Sequence, residues 1–151
     1  MRCRIKLLLS ALAIVLTSCV DSKSEPSGKV ITYTSSYKEH SYDEVKDKHV
    51  FYSDIFSIES DIYYVYFYST TCSHCNNLKE FIIPLALQRG DIYFVEASQE
   101  IVFLKSIEET IGLTSIEGFG ILGYPSLIKI EEHIVKKNLA GILPIRSELL
   151  N

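Results

Sequence analysis

Residues 7–16 form a nearly unbroken apolar run, with Ser10 its one polar member, behind Arg2, Arg4 and Lys6 and ahead of Asp21 and Lys23. The run is shorter than the roughly 20 residues a spanning helix needs, and its basic front gives it the n-region and h-region of a secretory leader. Residues 20 to about 40 are poor in apolar side chains and carry Ser22, Ser24, Pro26, Ser27, Gly28, Ser35 and Ser36, the composition of a flexible tether. From Ser41 the pattern changes. Ser41 with Glu44 matches a capping box, and the spacing of Val45, Phe51, Ile55 and Ile58 predicts one or two amphipathic helices with a break near His49. Residues 62–68 (Ile-Tyr-Tyr-Val-Tyr-Phe-Tyr) show no polar alternation, which predicts a strand buried on both faces.

After Cys72 and Cys75 the pattern predicts a helix to about Gln88, with Leu78, Phe81, Ile82 and Leu85 on one side, a kink at Pro84 and a stop at Arg89-Gly90. Residues 92–95 read as a second buried strand. Ser98 offers an N-cap for a further helix carrying Ile101, Leu104, Ile107 and Ile111 and closed by Gly112. A loop through Gly118, Gly120 and Gly123 leads to a hairpin over 126–130 and 134–139, and Pro144 opens a short last helix. Alternating elements followed by an antiparallel pair predict an α/β fold with a central mixed sheet covered on both faces. The organisation is a leader over 1–18, a tether over 19–40 and one domain over 41–151, with no internal repeat.

Composition sharpens this picture in two places. With 47% hydrophobic and 23% charged residues, the 151-residue chain has the content of one compact domain, neither disordered nor fibrous. Its 19 acidic against 15 basic residues, with no basic block, argue against nucleic acid as a partner. Loss of the leader removes three basic groups and makes the remainder more acidic. The tyrosines of the central strand read as core filling and carry no chemistry.

The candidate chemistry lies in Cys72-Ser73-His74-Cys75, between the buried strand and the first turn of a helix. A Cys72 thiolate there faces the free N–H groups and positive end of the helix, which stabilise it. Cys75, one turn on, can close a disulfide with Cys72. The first sulfur then attacks a partner disulfide and the second resolves the mixed disulfide. His74 near the Cys72 sulfur would further stabilise the thiolate and make the couple more oxidising. A bridge closing two intervening residues removes little chain entropy, so it suits exchange better than structural bracing. A lone CxxC can also supply half of a zinc site, but no second cysteine pair follows it, and His40, His49 and His133 occur singly, as surface residues; no metal is expected.

Two family resemblances add to this reading. Leu16-Thr17-Ser18-Cys19 resembles the lipobox of bacterial lipoproteins, which implies cleavage before Cys19, a diacylglycerol on its sulfur and an extracytoplasmic, membrane-anchored protein. From about residue 50 to the C-terminus the chain resembles the thioredoxin-like superfamily, whose CxxC follows the central strand. In that family a cis proline just before the next strand packs against the disulfide and presents backbone groups to substrate. Gly123-Tyr124-Pro125-Ser126-Leu127 resembles that loop, so the resemblance implies a cis bond at Pro125 and a substrate groove lined by Tyr124.

The implied fold is a thioredoxin-like three-layer sandwich. The implied function is thiol-disulfide exchange without metal or organic cofactor, with cysteine-containing exported proteins as clients and a membrane redox protein that resets the couple. Two departures qualify it. Many members carry, six residues before the first cysteine, a buried carboxylate that serves proton transfer to the resolving thiol; Tyr66 stands there here. The motif interior is Ser-His in place of the Gly-Pro of typical thioredoxins, and a histidine in that second place occurs in strongly oxidising relatives. The competing function is a tethered binding or accessory lipoprotein, for example in peptide export, with Tyr124-Pro125 as its groove and the cysteines as a static lock.

Overall fold

The computed structural model describes residues 39–151, so the leader, Cys19 and most of the tether lie outside the described residues. Glu39 and His40, at the end of the expected tether, sit against the long helix: Lys79 donates to the Glu39 carboxylate at 3.0 Å, and the His40 N–H donates to the Glu80 carboxylate at 3.1 Å.

Four strands form one mixed sheet in the order β2-β1-β3-β4. Strand β1 (Ile62–Tyr68) lies inside it, parallel to β2 (Ile92–Glu96) and antiparallel to β3 (Ser126–Glu131), which pairs antiparallel with β4 (Ile134–Ala140). Six of the seven β1 residues are buried, as its unalternating apolar sequence requires. Tyr64, Tyr66 and Tyr68 enter one core with α1 (Ser73–Arg89) and α2 (Ile142–Leu150), while Tyr63, Val65 and Phe67 enter a second core on the opposite face.

Helix α1 begins where the sequence places it and ends at Gly90, whose φ of 76° is the left-handed conformation glycine adopts without strain. It runs on through Pro84. The hairpin joining β3 to β4 turns through Glu132 and His133 at φ of 51° and 59°, and a register shift follows Lys129. Helix α2 starts two residues before Pro144, which sits in the first turn, where its missing N–H breaks no helical bond. The capping box forms, with Ser41 accepting from the Asp43 N–H and its own N–H donating to Glu44, but it opens a 3-10 helix over Tyr42–Lys48. A second 3-10 turn spans Tyr52–Asp54, and Phe51 is 77% exposed instead of joining an apolar face. The break at His49 is present.

The largest difference from the sequence reading concerns the helix expected over 98–111. That segment is irregular apart from a 3-10 turn at Glu108–Thr110. Its backbone groups bond to other segments instead: the Leu104 N–H donates to the Ile121 carbonyl at 2.9 Å, and the Ile121 N–H to the Val102 carbonyl at 3.0 Å. The Gly112 N–H likewise donates to the Val135 carbonyl at 2.9 Å. This close approach requires glycine at 120, where a Cβ would lie 2.6 Å from the Val102 carbonyl oxygen. Buried Asn138 ties the segment to β4 through Thr110 Oγ1 and the Gly120 carbonyl, each at 3.0 Å. The second face of the sheet is therefore covered by irregular chain and 3-10 turns, and the three layers persist without the second crossover helix. Among the described residues no helix is long and apolar enough to cross a membrane.

Candidate functional site

Because β1 is an inner strand and α1 follows it after a four-residue turn, the head of α1 emerges at the C-terminal edge of the strand. Within that turn the Cys72 N–H donates to the Ser69 carbonyl at 3.1 Å, and the Ser69 and Thr71 hydroxyls are 3.0 Å apart. Cys72 is the N-cap of α1, with extended backbone (φ −84°, ψ 116°), and its sulfur accepts the Cys75 N–H at 3.1 Å. A sulfur thus occupies the place where Ser or Asp commonly satisfies a free N–H of the first turn. No acidic residue stands in that turn to oppose negative charge on it.

On its other side the Cys72 thiol lies 3.6 Å from the Tyr124 carbonyl oxygen, to which it donates. The Tyr124-Pro125 peptide is cis, and Pro125 is buried beneath the half-buried Tyr124. Ser126 fixes the loop from below by donating to the Gly123 carbonyl at 2.7 Å. Phe103, 56% exposed, packs edge-on against Tyr124 with ring centroids 5.5 Å apart. Four of the five residues singled out from sequence as catalytic or substrate-binding, Cys72, Cys75, Tyr124 and Pro125, are thus gathered around one sulfur. The fifth, His74, is exposed and borders a mostly apolar groove of about 280 Å³ with Gly141, Ile142, Leu143 and Pro144. No hydrogen bond joins its ring to Cys72, whose partners are Cys75 and Tyr124.

Cys75 differs from Cys72 in its exposure to solvent. It is fully buried, whereas Cys72 is partly exposed, and both are free thiols. Burial pushes the Cys75 thiol up to about 12, with the Cys72 sulfur adding to the rise and the Ser69 backbone and Tyr66 hydroxyl pulling it down. Tyr42, Tyr66, Tyr68 and Phe94 pack on this side, the Tyr42 and Tyr68 rings stacked at 3.7 Å. The Tyr42 hydroxyl donates to the Cys75 carbonyl at 3.4 Å. The Tyr66 hydroxyl is buried and closes no hydrogen bond of ordinary geometry, though it interacts electrostatically with the Tyr42 hydroxyl and the Cys75 thiol.

Reading the strand tyrosines as core filling accounts for the rings of Tyr64, Tyr66 and Tyr68, and packing adds that the Tyr66 hydroxyl acts on the Cys75 thiol. The other histidines lie apart from the site. His49 is partly buried rather than superficial, held between the Val45 carbonyl (3.0 Å) and the Tyr68 hydroxyl (2.8 Å), because its ring fills the gap between β2 and the 3-10 helix. His40 is also partly buried, against Glu44 at 3.2 Å, because the 3-10 helix it precedes folds back onto α1; His133 is exposed. Among the described residues no cluster of three or more His, Cys, Asp or Glu side chains is placed to hold a metal.

A CxxC heading the helix after the inner strand, a cis proline opening the next antiparallel strand and the order β2-β1-β3-β4 together reproduce the architecture implied by the sequence resemblance. The fold is thioredoxin-like. No protein-family model and no curated protein matches the chain. Among solved structures it is similar to Chlamydomonas reinhardtii thioredoxin f2 at 16% identity, over 68% of this chain and 90% of that one, with a TM-score of 0.44. A Plasmodium falciparum thioredoxin is 16% identical over 68% and 94% of the two chains, with a TM-score of 0.46. A mutant thioredoxin of Halobacterium salinarum NRC-1 is 15% identical over 68% and 86%, with a TM-score of 0.45. Likeness at this level assigns no role to any residue.

The state of Cys75 predicts how the reduced protein responds to alkali. In the unfolded chain the thiol titrates near 9, and in the folded protein near 12, so the folded state binds this proton more tightly. Its contribution to stability is complete below about pH 9 and is lost as pH rises toward about 12. Chemical denaturation of reduced wild-type protein and of Cys75→Ala across pH 8–11 should show the wild type losing stability more steeply; parallel curves would show that Cys75 titrates normally.

Proposed function

We propose that this protein is an extracytoplasmic, membrane-anchored thiol-disulfide oxidoreductase that exchanges disulfides with exported proteins through Cys72 and Cys75. One observation carries the reading: a partly exposed sulfur at a helix N-terminus, contacting the Cys75 N–H and the Tyr124 carbonyl, with a second, buried thiol one turn behind it. The thiolate is the attacking species in thiol-disulfide exchange, and Cys72 is the sulfur within a client's reach. Cys72 attacks a client disulfide, forming a mixed disulfide and releasing the client's other sulfur as thiolate. Cys75 then loses its proton and attacks the Cys72 sulfur, which closes the internal disulfide and releases the reduced client. Run in reverse, the same steps oxidise a client dithiol. Tyr124 and Pro125 hold the client backbone beside Cys72, and exposed His74 supports the thiolate through space.

Direction follows from the potential of the pair against that of its compartment. Equilibrating the protein with graded glutathione buffers, followed by alkylation and mass measurement, should give one two-electron transition that vanishes in Cys72→Ser. A midpoint near those of strong oxidants makes the protein a disulfide donor, and one near thioredoxin's makes it a reductant recharged across the membrane. A pair that never equilibrates would contradict exchange and favour the binding reading. His74→Ser should move the midpoint to more reducing values; an unchanged midpoint would leave His74 a surface residue.

The anchor rests on sequence, on the basic-apolar leader and on Ser18-Cys19 at its end. A diacylated N-terminus would hold the domain at a membrane surface with the chain over 20–40 as tether. Mass measurement of membrane-extracted protein should show residues 1–18 absent and a lipid on Cys19, and an intact or unlipidated N-terminus would overturn the anchor.

A further inference from the structure

In the exchange proposed above, a client lies beside Cys72 against Tyr124 and Pro125. Main-chain contacts there cannot tell clients apart, since every peptide presents the same N–H and carbonyl groups. Side chains must do so, and the irregular stretch over 98–111 brings one to the site.

That side chain is Phe103. The backbone on both sides of it is pinned to the segment leading into the cis-proline loop: the Leu104 N–H donates to the Ile121 carbonyl at 2.9 Å, and the Ile121 N–H donates to the Val102 carbonyl at 3.0 Å. Gly120 lets the two stretches meet, because a Cβ there would lie 2.6 Å from the Val102 carbonyl oxygen. Phe103 therefore cannot withdraw from the loop without breaking these bonds. Its ring stands perpendicular to that of Tyr124, and the Tyr124 carbonyl oxygen lies 3.6 Å from the Cys72 sulfur. One residue separates Phe103 from the reacting atom.

More than half of Phe103 nonetheless faces water. Val102, just before it, is 48% exposed, and Leu122, two residues before Tyr124, is 41% exposed. Single exposed apolar side chains are ordinary on a protein surface. Here three of them sit on two stretches joined by backbone hydrogen bonds and end on the tyrosine beside Cys72, which makes a continuous ledge. The residues interleaved with them, Ile101, Phe119 and Ile121, are buried in the core on that side of the sheet, so the ledge has a packed floor.

We propose that Phe103, with Val102 and Leu122, selects clients that carry an aromatic or large aliphatic side chain close to the reacting cysteine. The proposal rests on the exchange reading and names the substrate class which that reading leaves open. The occupant follows from continuity with the site. A client whose sulfur reaches Cys72 already lies against Tyr124, and an extended chain advances about 3.3 Å per residue. The side chain one or two positions from its cysteine thus reaches Phe103. An apolar side chain there covers the phenyl ring and releases water from both surfaces, whereas a small polar one gains nothing from the contact. Phe103 touches no reacting atom and acts on specificity alone.

The test compares two substrates within each protein. They are disulfide-linked homodimers of one short peptide, identical except that the residues flanking the cysteine are Phe in one and Ser in the other. Reduced full chain is mixed with each at limiting concentration. As Cys72 bonds to one peptide sulfur, the other peptide leaves as a thiol, which chromatography measures. Wild type should react about tenfold faster with the Phe peptide, the low end for one apolar contact in a binding site. In Phe103→Ser that ratio should fall toward one, and Leu122→Ser should lower it in the same direction. Phe103→Leu, which keeps an apolar surface, should retain most of it. Taking the ratio within each variant cancels any general change in Cys72 reactivity or in the amount of folded protein.

A ratio near one in wild type would overturn the ledge and leave exchange standing. A preference that survives Phe103→Ser intact would also overturn it, and would place apolar recognition in the groove of Ile142 and Leu143 beside His74. Release of no thiol from either peptide by wild type would overturn the exchange reading itself, and the ledge with it.

Discussion

Burial of β1 on both faces is the constraint from which the rest of the molecule follows. A strand of Ile, Val, Phe and four Tyr has no solvent-compatible face, so it must lie inside a sheet with a core on each side. Its residues alternate strictly between those cores, which sends Tyr64, Tyr66 and Tyr68 toward α1 and Tyr63, Val65 and Phe67 toward the irregular layer. Pairing with β2 on one edge and β3 on the other then puts the β1 C-terminus, the head of α1 and the start of β3 at one end of the sheet. Cys72 and Pro125 meet there as a consequence of strand order.

That placement gives the two cysteines unlike surroundings from one helical turn. Cys72 caps the helix with its sulfur and remains in reach of solvent, while Cys75 points into the core built on β1. In the proposed exchange, that contrast assigns attack to Cys72 and resolution to Cys75.

Much of this is legible in the chain, for physical reasons. The period and composition of 62–68 leave one outcome, and Gly90 marks the end of α1 because a left-handed residue is needed there. Cys72, Cys75 and the proline before an apolar strand are singled out from the chain, and the fold brings them together. The stretch over 98–111 misleads because Ile101, Leu104, Ile107 and Ile111 fall at helical spacing, yet the backbone around it bonds to Ile121 and Val135, which lie farther along the chain. Local periodicity cannot report such partners, and Gly120, the residue that permits the approach, looks from sequence like any loop glycine. Tyr66 is half legible: its place six residues before Cys72 and the face it enters follow from the chain, and only packing shows what its polar end meets.

The central claim is that Cys72 attacks and Cys75 resolves. Its most direct measurement is to incubate reduced Cys75→Ala and Cys72→Ala separately with a disulfide-bonded peptide and map any adduct by mass spectrometry. The account predicts a persistent mixed disulfide on Cys72 in the first variant and little or none on Cys75 in the second. An adduct that forms as readily on Cys75, or on neither residue, would contradict it.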